Sequence, residues 1–219
     1  MQVENNTEYK YEILSIDIGI TNLGISITVW DKTWDKFIIT KVELIDLGIL
    51  EHNKVPRKEC KLHHTRHLVD KMDHFFQEYN DIFEKVDYIT VELQPILGLK
   101  AVESLIFSKY RKKTFLVHPV KMHMFFNIKH FDYEKRKELT VKFAKMAIKN
   151  NDVMEQLNKH ERKHDMADSI CIMKYWVSKK RETYIKGQKK IQADQHFKEN
   201  KYMSMDSFFD MYKYKGVSE

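Results

Sequence analysis

One stretch, YEILSIDIGITNLGISITV at positions 11–29, constrains the fold more than any other part of the chain. Two apolar, β-branched runs flank a short segment that contains Gly19 and Asn22, which is typical of two strands joined by a tight turn. Alternation along the first strand places Asp17 on the same face as Ser15. A carboxylate on so apolar a strand is costly when it is buried without a partner. We therefore expect Asp17 to bind a metal ion or, as the alternative for an isolated Asp-x-Gly, to stabilise the turn.

Composition predicts one domain and a polyanionic partner. The chain has 219 residues, 42% hydrophobic content, a net charge of +6 and a pI near 9.0. No apolar run approaches the roughly 20 residues of a membrane span, and the N-terminus MQVENNTEYK lacks a signal-peptide pattern. Cys60 and Cys171 lie far apart, which argues against a disulfide framework or a zinc site. We expect an intracellular protein of a reducing compartment, without membrane contact.

The order of the predicted elements is β-β-β-α-β-α-β-α-α, which indicates an α/β fold with a mixed sheet rather than alternating βα units. The opening strands form an antiparallel meander whose third strand lies within Phe37–Leu50. The later predicted elements are a helix at Lys61–Lys85, a strand at Asp87–Leu93, a helix at Gly98–Lys113, a strand at Thr114–His118, and helices at Asp132–Asn150 and Glu161–Lys180.

Four histidines fall in the first predicted helix. His63 and His67 have the i,i+4 spacing of a metal-binding pair, and His64 and His74 lie nearby. No carboxylate or cysteine completes a ligand set at the right spacing. We therefore interpret these histidines as a solvated helix face.

Three further acids accompany Asp17. Glu92 ends the alternating strand DYITVEL, and Asp165 and Asp168 share one face of the last predicted helix at i,i+3. The helix macrodipole also favours acids in a first helical turn, which is the alternative explanation for that pair. It does not explain acids at the ends of two apolar strands.

Carboxylates gathered in one pocket repel one another unless a cation lies among them. Oxygen ligands without a cysteine or a completed histidine set favour Mg²⁺ or Mn²⁺ over zinc. Two such ions, about 3.5–4 Å apart, are the usual apparatus of phosphodiester hydrolysis. A basic chain with an acid-lined metal site is therefore typical of a nuclease, whose lysines and arginines hold the flanking phosphates.

Three motifs in order, SIDIGITNLGIS, VELQP and KHDMADSICIMKYW, resemble the RuvC-like branch of the RNase H superfamily. The most similar members are the Holliday junction resolvases of poxviruses, other large DNA viruses and yeast mitochondria. The resemblance implies an RNase H-like mixed five-stranded sheet flanked by helices. It implies two Mg²⁺ ions per active site, replaceable by Mn²⁺, and a homodimer that makes paired symmetric nicks in a four-way junction, leaving 5′-phosphates. A poxvirus-like protein would work at cytoplasmic sites of viral replication. By resemblance, the catalytic metal ligands are Asp17, Glu92, Asp165 and Asp168.

Other residues of these segments are expected to line the site or to contact DNA. Gly19 would keep the turn open to the scissile phosphate, and His164 would either assist proton transfer or cap the helix. The lysines and arginine after the second predicted helix would hold DNA, or would simply form a solvated helix end. The candidate DNA-binding residues are Asn22, Gln94, Lys100, Lys109, Arg111, Lys112 and Lys113.

We expect a nuclease domain over residues 1–180 and a basic C-terminal extension over 181–219, helical or partly disordered. In the extension, Met205, Phe208 and Phe209 resemble the sliding-clamp-binding peptide of replication nucleases, although Tyr202 stands where that peptide has Gln. The alternative is that these apolar residues dock on the protein's own core or on a dimer partner.

Two other functions share parts of this pattern. An RNase H acting on RNA–DNA hybrids, or a nuclease for other branched DNA, would use the same metal site. The segment from Asp17 to Asn22 also resembles the first phosphate loop of actin-like ATP-binding proteins. Those proteins need a second glycine-rich loop, and this chain has six glycines and no such loop after Asp87.

Overall fold

The computed structural model describes residues 9–19, 22–49, 59–65, 67–96 and 99–213, with residues 196–213 described by their backbone alone. The strands are β1 (Tyr9–Ile18), β2 (Asn22–Asp31), β3 (Phe37–Asp46), β4 (Tyr88–Glu92) and β5 (Thr114–Val117). The helices are α1 (Leu68–Glu78), α2 (Asn80–Lys85), α3 (Lys100–Lys109), α4 (Pro119–Phe125), α5 (Tyr133–Ala147), α6 (Asn151–Lys159) and α7 (Lys163–Lys213).

The five strands form one mixed sheet in the order β3-β2-β1-β4-β5. The first three strands pair antiparallel, whereas β1 with β4 and β4 with β5 pair parallel. The predicted α/β fold with a mixed five-stranded sheet is therefore confirmed. Because β1, β4 and β5 run parallel, their carboxyl ends meet at one edge of the sheet.

The two faces of the sheet differ in the size of their side chains. Leu14, Ile16, Ile89 and Val91 form a wholly buried face that packs against α1, α2 and α3. On the opposite face small polar residues line the strand centres, where the Thr90 hydroxyl donates a 2.7 Å hydrogen bond to Ser15. Small side chains allow a helix to approach closely, and the first part of α7 packs on this face.

Aromatic rings cover the same face of the sheet near the starts of β4 and β5. The Trp176 ring of α7 lies 5.1 Å from that of Tyr88, 5.0 Å from that of Phe115 and 6.0 Å from that of Trp34, between centroids. Buried aromatic pairs of this kind contribute beyond their apolar area. Trp176 therefore fixes the direction in which the first part of α7 crosses the sheet.

The predicted helix at Lys61–Lys85 is wrong over its first turns, because the described residues from 59 to 67 are not helical and α1 begins at Leu68. The Thr65 backbone N–H donates a 3.0 Å hydrogen bond to Asp70, and the Thr65 hydroxyl also donates to that carboxylate. The same hydroxyl oxygen accepts a 3.1 Å hydrogen bond from the backbone N–H of His67. Local side-chain bonds of this type compete with helical ones. His63 and His67 therefore do not share a helix face.

The remaining helices differ from the prediction mainly at their ends. Helix α3 ends at Lys109, before the predicted Lys113, and α4 and α6 were not predicted. His118 precedes Pro119 as the N-cap of α4, and its ring accepts from Val120. Helix α7 extends through Lys213, well past the predicted end at Lys180.

The chain divides into two units, Met1–Ser178 and Lys179–Glu219. Within the described residues, no helix is both long enough and apolar enough to span a bilayer. The side chains of Met205, Phe208 and Phe209 lie outside the described part, so the clamp-peptide prediction stays a prediction.

Candidate active site

Parallel pairing of β1 with β4 brings the first two acids together. Ile16 is the register partner of Val91, and Asp17 and Glu92 each follow directly on that pair. A hydrogen bond joins the side chains of Asp17 and Glu92. This interaction raises the pKa of Asp17 and lowers that of Glu92.

Gly24 brings helix α7 to the same place. It is the register partner of Asp17 in β2, and a Cβ atom added to it would lie 2.1 Å from the Asp165 carbonyl oxygen and 2.8 Å from the Met166 nitrogen. Only glycine permits so close an approach between a strand and a helix backbone. The first turns of α7, with Asp165 and Asp168, are thereby placed beside Asp17. The sequence analysis did not single out Gly24, although an isolated glycine inside a strand is a known signal of close backbone approach.

Asp17 is the electrostatic centre of the site. Burial of its carboxyl group is the largest cause of a pKa well above the ordinary value of an aspartate. The negative charges of the three other acids raise this pKa further, in the order Asp168, Glu92 and Asp165. We call these four residues, Asp17, Glu92, Asp165 and Asp168, the acid cluster.

Burial also raises the pKa of Asp168, to about 7. A hydrogen bond from Thr140 and the nearby charge of Lys137, both on α5, lower the pKa of Asp168, whereas repulsion within the acid cluster raises it. Burial likewise raises the pKa of Glu92, against hydrogen bonds from Gln94 and Asp17 that lower it. The folded chain therefore holds these carboxyl groups where their charged forms are unfavourable.

Asp165 is the acid with cationic neighbours. Its carboxylate lies 3.0 Å from the Arg162 Nε atom and 3.0 Å from the His164 Nε2 atom. Burial lowers the pKa of His164, and the charge of Asp165 opposes that effect. Arg162 is half exposed, so it both orients Asp165 and presents a positive charge at the edge of the acid cluster. Neither Arg162 nor Lys137 was predicted as a site residue.

The donor set fits a hard divalent cation. Carboxylate oxygens from β1, β4 and α7 converge at one edge of the sheet, and oxygen is the donor that Mg²⁺, Mn²⁺ and Ca²⁺ prefer. A cation among these groups would relieve the burial and the repulsion that raise the pKa of Asp17 and Asp168.

The predicted lining residues occupy the rim of the acid cluster. The Gln94 amide donates a 2.6 Å hydrogen bond to Glu92, and the Gln94 backbone N–H donates a 2.7 Å bond to the buried Glu103. The Asn22 carbonyl accepts a 2.9 Å hydrogen bond from the Gly19 backbone N–H, which closes the turn between β1 and β2. Gln94 therefore orients a cluster carboxylate, whereas the bond shown for Asn22 is made by its backbone.

The basic residues around the end of α3 lie away from the acid cluster. Helix α3 returns from the carboxyl end of β4 to the start of β5, where Thr114 pairs with Ile89. Three residues of strand, roughly 10 Å, separate this position from Glu92. This placement applies to the four basic residues Lys109, Arg111, Lys112 and Lys113.

Two of the predicted DNA-binding lysines have partners in the protein. Lys100 forms a 2.6 Å ion pair with Glu103. The Lys113 ammonium group donates hydrogen bonds to the carbonyls of Phe83, Glu84 and Val86, at the end of α2. Lys113 thus caps α2. Whether these lysines also contact DNA stays a prediction.

Comparison with known proteins agrees with this geometry. The fowlpox virus resolvase, solved as a complex with its substrate Holliday junction DNA, matches with a TM-score of 0.55 and 18% identity, over 77% of this chain and 97% of the viral one. A second structure of the fowlpox virus Holliday junction resolvase gives a TM-score of 0.53 and 17% identity, over 77% and 99% of the two chains. This chain has the resolvase fold. No protein-family model matches it, and no curated protein matches it in sequence.

RuvC of T. thermophilus, solved with a Holliday junction substrate, is less similar, with a TM-score of 0.47 and 12% identity over 80% of this chain and 98% of RuvC. The two fowlpox virus structures confirm, at the level of the fold, the resemblance to resolvases that three short motifs indicated.

Proposed function

We propose that this protein is a metal-dependent endonuclease that resolves four-way DNA junctions. The observation that carries the proposal is the convergence of the acid cluster at the edge where β1 and β4 end, in a chain with the resolvase fold. Four acids held so close are unfavourable for folding, so their gathering is best explained by a reaction that needs them.

The metal we propose is Mg²⁺, two ions per site, with Mn²⁺ as a substitute. Asp17, Glu92, Asp165 and Asp168 would hold the ions. When bound, the ions supply an activated water for attack on a phosphodiester and stabilise the leaving oxygen.

The chain's own residues prepare the site for the metal. A cation held by Asp17 and Glu92 would offset the burial and the like-charge repulsion that raise the pKa of Asp17. Arg162 holds the Asp165 carboxylate in position. Arg162 and Lys137 also place two positive charges beside the acid cluster, where they attract the phosphates that flank the scissile bond.

We further propose that the protein acts as a homodimer whose two sites make paired symmetric nicks, leaving 5′-phosphates. The sequence resemblance supports the homodimer and the nicks, and the structure of the fowlpox virus resolvase with its substrate Holliday junction DNA supports a four-way junction as the substrate. Lys100, Lys109, Arg111, Lys112 and Lys113 are proposed as outlying DNA contacts.

Two remaining proposals concern the surroundings of the protein. An intracellular, reducing location is supported by the free thiols of Cys60 and Cys171. Binding of a sliding clamp through Met205, Phe208 and Phe209 is supported by their spacing alone.

The test is a side-by-side cleavage assay on a four-way junction, a flap and an RNA–DNA hybrid, with Mg²⁺. We expect the junction to be cut fastest, and Asp17→Asn and Glu92→Gln to abolish cutting while junction binding persists, because lysines and arginines supply most of the affinity. Asp194→Asn, which changes an exposed aspartate of α7, is the matched control and should cut normally.

Each other outcome has a definite meaning. Preferred cutting of the hybrid would replace junction resolution by an RNase H function. Absence of cutting on all three substrates, or cutting by Asp17→Asn within about tenfold of the wild type, would contradict the metal-ligand assignment. Hydrolysis of ATP without nucleic-acid cleavage would favour the actin-like alternative.

A further inference from the structure

A second group of potential metal ligands lies apart from the acid cluster. One donor atom each of Cys60, His64 and His74 lies within 4.8 Å of the other two. His74 belongs to α1, which packs on the sheet face opposite to α7, and the other two precede that helix. None of these residues is used by the proposed reaction.

The chemistry of these donors differs from that of the acid cluster. One thiol and two imidazoles are the ligands that zinc prefers, whereas Mg²⁺ prefers oxygen. Ligands of a tetrahedral zinc ion lie about 3.3–3.6 Å apart when Zn–S is about 2.3 Å and Zn–N about 2.0–2.1 Å. Donors already within 4.8 Å of one another therefore need to approach by at most about 1.5 Å.

A hydrogen bond identifies which nitrogen of the His74 ring carries a proton. The His74 Nε2 atom lies 3.3 Å from the His63 carbonyl oxygen. A carbonyl can only accept, so Nε2 donates its proton, and Nδ1 carries the lone pair that a metal ion needs. Metal-binding histidines typically donate their other N–H to a backbone carbonyl in this way. His74 is buried, and its ring centroid lies 4.7 Å from that of His64.

The segment that carries two of the donors is itself held in place. Hydrogen bonds from the Thr65 N–H and hydroxyl to Asp70 tie the segment to the first turn of α1. These bonds are the largest cause of an Asp70 pKa below its ordinary value. His64, the neighbour of Thr65, is therefore presented to His74 by a backbone that other contacts already fix, which lowers the entropic cost of binding an ion.

We propose that Cys60, His64 and His74 bind a zinc ion that fastens the segment before α1 to that helix. Cys60 binds as the thiolate and both histidines bind neutral, so each zinc ion displaces one thiol proton and binding weakens in acid. The role is structural: the ion links the described residues just before α1 to that helix, which belongs to the main hydrophobic core. Sequence patterns missed the site because Cys60 has no cysteine neighbour and His64 was placed on a helix that does not exist there.

The first experiment measures metal content and ligand type in the full-length protein. We expect one zinc per chain by mass spectrometry of the purified protein. Replacement of zinc by Co²⁺ should give visible bands of tetrahedral cobalt and a thiolate-to-cobalt charge-transfer band in the near ultraviolet. Cys60→Ser should remove the charge-transfer band, and His64→Ala or His74→Ala should weaken zinc binding by about a hundredfold or more.

Matched controls separate this site from the acid cluster and from general damage. Cys171→Ala and His63→Ala each remove a side chain of the same type outside the three donors, and both should keep one zinc. Asp17→Asn should also keep its zinc. A variant that fails to fold is replaced by the wild-type protein stripped of zinc with a chelator. Returning Zn²⁺ at about 100 times its Kd should raise Tm by about 5–10 °C.

Three results would overturn the proposal. The first is a wild-type protein that takes up neither zinc nor cobalt. The second is a Cys60→Ser protein that binds zinc as tightly as the wild type. The third is a bound zinc ion that is lost in Asp17→Asn and kept in Cys60→Ser.

Discussion

Replacing Asp168 by Asn should stabilise the metal-free protein at pH 8 while abolishing cleavage. Burial holds the pKa of Asp168 at about 7, and the charges of Glu92 and Asp165 add to that effect. Its carboxylate is therefore charged at pH 8 in surroundings that disfavour the charge. Asparagine has nearly the same shape, carries no charge, and can still accept the hydrogen bond from Thr140.

The sign and the size follow from the two pKa values. The pKa of Asp168 is about 7 in the folded protein and 3.8 ordinarily, so folding favours the protonated form. This contribution to stability is complete below pH 3.8 and is lost as the pH rises through about 7. One pKa unit corresponds to about 1.4 kcal/mol, so the full loss is roughly 4 kcal/mol at most. Because neighbouring acids share the repulsion, we expect a gain of about 2–4 kcal/mol for Asp168→Asn at pH 8.

The assay is urea and thermal unfolding in EDTA at pH 5 and pH 8. The variant should exceed the wild type by about 5–15 °C in Tm at pH 8, and by less at pH 5. Added Mg²⁺ should raise the Tm of the wild type more than that of the variant, because the ion relieves the same repulsion. Asp194→Asn, which removes an exposed carboxylate of α7, should change little at either pH.

An Asp168→Asn protein no more stable than the wild type at pH 8 in EDTA would refute the reasoning. The same is true of a gain that does not depend on pH. Either result would mean that burial and the neighbouring acids do not destabilise the charged form of Asp168. A cation would then have no repulsion to relieve at this residue.

Three other predictions concern Gly24, the lysines after α3 and the metal requirement. Gly24→Ala should lower the free energy of unfolding, measured in urea, by about 1–3 kcal/mol, because the new Cβ would meet the Asp165 carbonyl. The same change should remove most of the cleavage activity. Gly187→Ala, where nothing lies within 4 Å, should be neutral or slightly stabilising, and equal effects of the two changes would contradict the close approach of α7. Lys113→Ala should lower Tm by uncapping α2, whereas Lys112→Ala should leave Tm unchanged and reduce the salt slope of DNA binding by about one. An unchanged slope for Lys112→Ala would remove it from the DNA contacts. Cleavage should occur with Mg²⁺ or Mn²⁺ and fail with Ca²⁺, whose longer, looser coordination misplaces the reacting groups, and robust cleavage in EDTA would exclude metal catalysis.

The sequence by itself determined the sheet and the identity of the acids it carries. Alternation within short apolar runs reports directly which residues face a core, so β1 and β4 could be predicted close to their observed ends. An acid at the end of each run was visible for the same reason. The parallel pairing that sets Asp17 beside Glu92 follows from the order of strands and helices together with the resemblance to known resolvases.

Helical spacing was a weaker guide, because it does not show where local hydrogen bonds replace helical ones. Hydrogen bonds from Thr65 to Asp70 delay the start of the helix predicted at Lys61–Lys85 until Leu68, although apolar residues with helical spacing begin earlier. The basic residues around the end of α3 were predicted from sequence to hold DNA, without any indication of their distance from Glu92. The return direction of α3 sets them at the opposite end of β4.

Only the tertiary structure decided which distant residues meet. Gly24 permits contact between β2 and α7, elements separated by more than a hundred residues, and an isolated glycine in a strand does not show which distant element approaches it. Cys60, His64 and His74 come together because one segment folds back onto α1. A local pattern records the environment of each residue along its own strand or helix, whereas a site is made by backbones that approach one another in space.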